Sequence, residues 1–223
     1  MTLPEWLQQL DGAIPHVRGE HFTRFLPPAE GGRPSAVLVL FGEGPDGPDL
    51  LLIERAATLR SHAGQPAFPG GAQDPEDADP VAAALREAEE EVGVDPASVQ
   101  VLGILPALWL PPSGFVVHPV VAWWHTPHPV RVVDEAEVAA VERVPLSELT
   151  DPENRFRVVH PSGFTGPAFQ VRGMMVWGFT AGLLSGILAL AGWERPWDTS
   201  RTQELDPETV RLAARTWQNK ETP

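Results

Sequence analysis

A chain of 223 residues with 43% hydrophobic residues is long enough to bury one sizeable core and still carry extensions. Its 16 basic against 30 acidic residues leave a formal charge of −14, which argues against a basic nucleic-acid surface and means that the field must be reversed locally for a polyanionic substrate, as bound divalent cations can do. With no Cys, disulfides, thiol nucleophiles and Cys-zinc sites are excluded.

The N-terminal stretch through Leu10 has no basic segment and carries Glu5, so it is a poor signal peptide and a cytoplasmic location is expected. Thr2, Pro4 and Glu5 predict a helix start with a capping box from Thr2 to Glu5, and Trp6, Leu7 and Leu10 as the apolar face. Pro27, Pro28, Gly31, Gly32 and Pro34 mark a linker. Residues 36–41 and 49–55 are β-rich, and 42–47, with Pro45 and Asp46, read as a hairpin loop between them.

Residues 60–79 read as loop, after which a helix pattern runs over 80–92, with Pro80 suited to its first turn and Gly93 as its stop. Strands are expected over 101–110 and 115–124, split by Pro111, Pro112, Ser113 and Gly114. A helical turn at 146–149 and short strands around Phe156 and Phe169 follow. The apolar run 174–193 approaches membrane-spanning length. Thr180 and Ser185 interrupt it and Gly178, Ala181, Gly182 and Gly186 suit close packing, so it reads as a buried helix rather than a membrane segment. A terminal helix is expected over 208–217. Irregular alternation of strands and helices, without repeats, points to a mixed sheet flanked by helices.

The informative segment is Arg86-Glu87-Ala88-Glu89-Glu90-Glu91-Val92-Gly93-Val94. On a helix, Glu87, Glu90 and Glu91 share a face and Glu89 does not. A solvated charge run is the plain alternative. Against it, these acids crowd the last turns, where the helix dipole and i,i+4 repulsion both disfavour carboxylates. Hard divalent cations would offset both costs. Upstream, Phe68-Pro69-Gly70-Gly71 forms a Gly-rich turn whose amides could face a phosphate and whose carbonyl could join a metal shell; a simple strand-to-helix turn is the alternative.

Together these residues resemble the Nudix box, G-x5-E-x7-R-E-U-x-E-E-x-G-U with U aliphatic. Gly71 matches the opening Gly, and Arg86, Glu87, Glu90, Glu91, Gly93 and Val94 match the closing half. Ala88 stands at the aliphatic position, and the box is one residue longer than the standard form. Asp77 stands at the place of the first Glu counted forward, and Ala78 counted back from Arg86. A second likeness runs from Leu51-Leu52-Ile53-Glu54-Arg55-Ala56 through Arg60 and Gly64 to Phe68-Pro69-Gly70-Gly71. It resembles L-L-T-x-R-S/A-x3-R-x3-G-x3-F-P-G-G, departing at Ile53, a pattern typical of the coenzyme A pyrophosphatase branch, which often has the longer box. Glu137-Val138-Ala139, Val144-Pro145-Leu146 and Trp177-Gly178-Phe179-Thr180-Ala181 also look like that branch.

The resemblance implies an α/β/α sandwich around a mixed β-sheet over 34–195, with an N-terminal helix and linker over 1–33 and a C-terminal helical extension over 196–223. It implies Mg²⁺ or Mn²⁺ held mainly by Glu87 and Glu91, with Glu90 binding a further ion or orienting water. It also implies Arg86 pairing with the Glu cluster, and Glu90 or Glu137 as general base. Arg55 and Arg60, with Gly70 and Gly71, are the expected substrate contacts, because paired guanidiniums suit the phosphates of coenzyme A. The alternative is that one Arg pairs with surplus acids. His62 and Gln65 could help recognise substrate, although a lone His is usually structural. The expected reaction is hydrolysis of coenzyme A or a derivative to 3′,5′-ADP and 4′-phosphopantetheine, with no nucleic-acid or membrane partner and a homodimer as the assembly considered. The other readings are a Nudix hydrolase for another nucleoside diphosphate compound such as ADP-ribose, a non-catalytic nucleotide-binding module, and a membrane-associated protein anchored by the late apolar helix.

Overall fold

The computed structural model describes residues 2–22, 27–28, 30–59, 62–111 and 113–211. The predicted contact residue Arg60 and positions 212–217 of the expected terminal helix therefore lie outside the described residues; a helical segment does begin at Pro207. Helix α1 (Glu5–Ala13) buries Leu7 and Leu10. The predicted capping box is not formed: Pro4 precedes the helix in extended conformation and no side chain caps it. A helix that opens at Glu5 leaves Thr2 too far upstream to reach the first free amides.

Strands β1 (Arg33–Gly44) and β2 (Gly47–Arg55) form a hairpin whose turn is shorter than the predicted loop, since Gly44 already pairs with Gly47. The stretch read as loop contains two short strands, β3 (Pro66–Ala67) and β4 (Gly70–Ala72), too brief to show alternation. Helix α2 (Pro80–Val92) matches the predicted span. The Asp79 side chain accepts from Ala82 N, Pro80 fills the first turn, and Gly93 at φ 73° closes the helix with its N–H on the Glu89 carbonyl.

The expected strand over 101–110 is two strands, β5 (Val99–Ile104) and β6 (Leu108–Leu110), both antiparallel to β7 (Phe115–Trp124). The gap holds Pro106, which has no N–H for the ladder. Strand β8 (Val138–Pro145), not anticipated because its polar and apolar residues alternate weakly, pairs with β2. These strands make one eight-stranded mixed sheet in which β1 and β7 run parallel and the other pairs antiparallel.

A second, four-stranded sheet follows the short helix α3 (Leu146–Leu149). It is built from β9 (Arg155–Val159), β10 (Thr165–Val171), β11 (Met174–Val176) and β12 (Thr202–Glu204). The apolar run 174–193 is thus not one helix. Its first residues form β11, joined to β10 by a turn at Arg172 and Gly173, and α4 spans Gly178–Leu190. Hydropathy cannot separate a buried strand from the buried helix that follows it. Among the described residues no helix is long and apolar enough to cross a membrane.

The alternation along β1 explains the layering. Ala36, Leu38 and Leu40 face α2, whose Ala83, Ala84, Ala88 and Val92 let the helix lie close to the sheet. Val39 and Phe41 face the other way, onto α1, α4 and part of the second sheet. The N-terminal helix is fixed there by Trp6, which packs with Phe41 and Trp193 and donates to Glu43. Helix, mixed sheet and helix form the α/β sandwich that sets α2 against β1 and β4.

Candidate active site

The carboxylates of α2 stand in unequal surroundings. Glu91 falls at the edge of the buried stripe and its side chain is 3% exposed, Glu87 one turn earlier is half-buried, and Glu90 is 59% exposed. Gly70 N donates to Glu91 Oε2 at 3.0 Å. The other oxygen, Oε1, is buried without a hydrogen-bond partner. Burial pushes the Glu91 carboxyl up to about 8, and nearby Glu87 and Glu137 add to the rise, against the Gly70 amide and Arg55, which oppose it. Glu87 is raised as well, again chiefly by burial.

Two arginines organise this cluster. Arg86 is locked: Nε and Nη2 bind Asp77 at 3.1 and 2.9 Å, Nη2 also donates to the Ala72 carbonyl, and Nη1 reaches Glu90 at 2.9 Å and Glu87 at 3.2 Å. The bidentate grip of Arg86 holds Asp77 well below the usual carboxylate range. Arg55, at the end of β2, lies with Nη1 3.6 Å from Glu91 Oε1 and Nη2 3.9 Å from Glu137 Oε2. Glu137 comes from the segment before β8, pinned by the bond from Ala56 N to its carbonyl. The turn at 62–65 clips Arg55 in place through Gly64 N to the Arg55 carbonyl and Arg55 N to the Gln65 carbonyl. His62 in that turn adopts φ 55°, and burial lowers its basicity.

The structure therefore brings Glu87, Glu91, Glu137, Arg55, Gly70 and Gly71 together, with Glu90 at the exposed edge, bridged to Glu87 by Arg86. The Gly70 amide, expected to be open to a phosphate, is spent on Glu91, whose buried Oε2 would otherwise lack a donor. Gly70 is required sterically, whereas Gly71 makes room only for the mobile end of the Glu87 side chain. A Cβ on Gly70 would overlap the Ala36 carbonyl, and one on Gly71 would occupy the place of the Glu87 carboxylate. Sequence reading did not assign Asp77 a role. Its signal was its position in the box, and its role here is to anchor the arginine that holds two of the acids.

Among the described residues no three Asp, Glu or His side chains stand arranged to hold a metal ion as they are. Each acid is drawn to an arginine instead. The donor set is nevertheless hard oxygen, and the buried, unbonded Glu91 Oε1 is the kind of atom that a divalent cation satisfies.

Two results are expected from this geometry. Gly71→Ala should displace Glu87 and cost roughly tenfold or more in turnover while leaving thermal unfolding within a few degrees of wild type. Unchanged turnover would show that Glu87 does not need that space. The second concerns pH. Folded Glu91 keeps its proton up to about 8 whereas an unfolded one releases it near 4.5, so the metal-free protein binds more protons folded than unfolded across that interval. Its stability should fall as pH rises from about 4.5 to 8, and Glu91→Gln should flatten that slope. Identical slopes in both proteins would refute the assignment.

A profile for the NUDIX domain matches residues 32–161. The uncharacterized Nudix hydrolase NudL of Cronobacter sakazakii is 45% identical over 171 residues, covering 74% of this chain and 85% of that protein. NudL of Escherichia coli K12 is 37% identical over 191 residues, covering 82% and 92%. Among solved structures, the Nudix hydrolase RenU of M. smegmatis aligns with 76% of this chain and 91% of its own, at 18% identity and a TM-score of 0.49. With the domain profile spanning more than half of the sequence and relatives of this identity covering most of it, the chain belongs to the Nudix hydrolase family.

Proposed function

We propose that this Nudix hydrolase cleaves the diphosphate of coenzyme A or a close derivative, releasing 3′,5′-ADP and 4′-phosphopantetheine. The observation that carries the reading is the placement of Arg55. The segment that resembles the coenzyme A branch runs along β2 and through β3 and β4, and it delivers that guanidinium to the same carboxylates as the box helix. The family acts on small nucleoside diphosphate compounds with divalent metal ions such as Mg²⁺ or Mn²⁺.

Glu87 and Glu91 would hold the cation, which when bound polarises the diphosphate and lowers the pKa of a coordinated water. Arg86, fixed by Asp77, keeps Glu87 in place. Arg55 binds phosphate oxygens and Gly71 leaves room for Glu87. Of the two candidate bases, Glu137 is favoured over Glu90: it faces Glu87 and Glu91 and is 46% exposed to water, whereas Glu90 is tied to Arg86 at the solvent edge. A water proton passes to that carboxylate, the water oxygen bonds to one phosphorus, and the bridging oxygen leaves with the other.

The test is product analysis with coenzyme A, Mg²⁺ and purified protein. Mass spectrometry should find 3′,5′-ADP and 4′-phosphopantetheine, and nothing in chelator. Turnover of ADP-ribose with coenzyme A left intact would move the substrate elsewhere within the family.

A further inference from the structure

We propose that the Arg55 guanidinium is the resting counter-ion of the carboxylates that take the cation, and that cation binding releases it to the substrate's phosphate oxygens. The inference rests on the reading of Glu87 and Glu91 as cation ligands. Among the described residues, the two arginines of the site are held in opposite ways. Arg86 is locked by hydrogen bonds to Asp77, Glu90 and the Ala72 carbonyl. Arg55 reaches its acids only at 3.6 and 3.9 Å, beyond hydrogen-bond length, and no hydrogen bond fixes its guanidinium to them.

Both sides of this loose pair carry unmet demand. Glu91 Oε1 and Arg55 Nε are buried and without a hydrogen-bond partner. Buried polar atoms in that condition are costly, and a single rearrangement satisfies both: a cation takes Glu91 Oε1, and a phosphate takes the guanidinium. The backbone of Arg55 is clamped on both sides by the 62–65 turn, so the movement belongs to its side chain. In a chain of net charge −14, this exchange offers a positive group to a polyanion only after the carboxylates have been neutralised. Cation and substrate thereby strengthen each other's binding.

Crystal structures of the full chain with Mn²⁺, and with Mn²⁺ plus imidodiphosphate, test this directly. The expected result is Mn²⁺ on Glu91 with Arg55 out of its ion pair, then on the imidodiphosphate oxygens. In solution, Mn²⁺ affinity is read by electron paramagnetic resonance at its high-pH plateau, where the ligands are deprotonated. Arg55→Gln should bind Mn²⁺ roughly tenfold tighter than wild type and imidodiphosphate more weakly, and Arg55→Lys, which keeps the charge, should stay near wild type. Mn²⁺ on Glu91 with Arg55 unmoved, or equal Mn²⁺ affinity in wild type and Arg55→Gln, overturns the exchange and leaves the cation reading standing. Mn²⁺ absent from Glu91 overturns both.

Discussion

Glu87→Gln and Glu91→Gln are each expected to lower turnover on the order of 1,000-fold or more in saturating Mg²⁺, with the far-ultraviolet circular dichroism of wild type. The two parts of that result have one cause. Gln keeps the size of Glu, and at position 91 it can still accept from the Gly70 amide, so the packing around α2 survives. What disappears is the negative charge, which the folded protein already tolerates poorly: burial keeps the Glu91 carboxyl protonated up to about 8. Metal-free Glu91→Gln should therefore unfold at the same temperature as wild type or higher at pH 8. A stability gain with a loss of turnover is the signature of a group kept for chemistry rather than for folding. Glu90→Gln should lose less, because Glu90 is exposed and tied to Arg86 at the solvent edge. Full activity of Glu87→Gln or Glu91→Gln in the presence of a chelator would end the cation reading.

The burial of Glu91 also shows what the sequence made visible and what it hid. The spacing of Glu87 and Glu91 and the Gly93 stop placed the acids on one helix, since helical period and cap chemistry are local. The same spacing put Glu90 with them; the fold leaves it exposed, joined to Glu87 through Arg86, while it buries Glu91, because a helix face becomes an environment only when a sheet covers part of it. The β1 and β2 pattern was legible for the same local reason, whereas β8 and the second sheet were not: their pairing depends on partners distant in sequence. The run 174–193 misled because its composition is equally apolar through β11 and α4, and the boundary between them falls at Trp177 and Gly178, where Gly178 takes φ 64°. Arg55 was singled out as a phosphate contact by the resemblance and by its pairing with Arg60 beside a Gly-rich turn. Its ion pair with Glu91 joins β2 to α2 and could not be read from either segment.

That ion pair sharpens the expectation about substrate choice. Arg55 stands at the carboxylates, so it should serve the diphosphate, and Arg55→Ala should harm coenzyme A and dephospho-coenzyme A alike. A charge-assisted contact to phosphate contributes about 1.5–3 kcal/mol, equivalent to roughly 10- to 100-fold in kcat/KM on both substrates. Arg60 is the other guanidinium of the segment. If it reads the 3′-phosphate, Arg60→Ala should cost the same factor on coenzyme A and little on dephospho-coenzyme A, which lacks that group. The comparison is internal, since each variant is its own control for folding and for cation binding. A selective loss in Arg55→Ala would move that residue to the distal phosphate and remove it from the diphosphate. Equal losses in both variants would leave the 3′-phosphate without a reader among these arginines. A wild-type preference for ADP-ribose over coenzyme A, by any margin, would remove the coenzyme A reading and keep the Nudix chemistry, because the box helix is common to the family and the coenzyme A reading rests on the arginine segment alone.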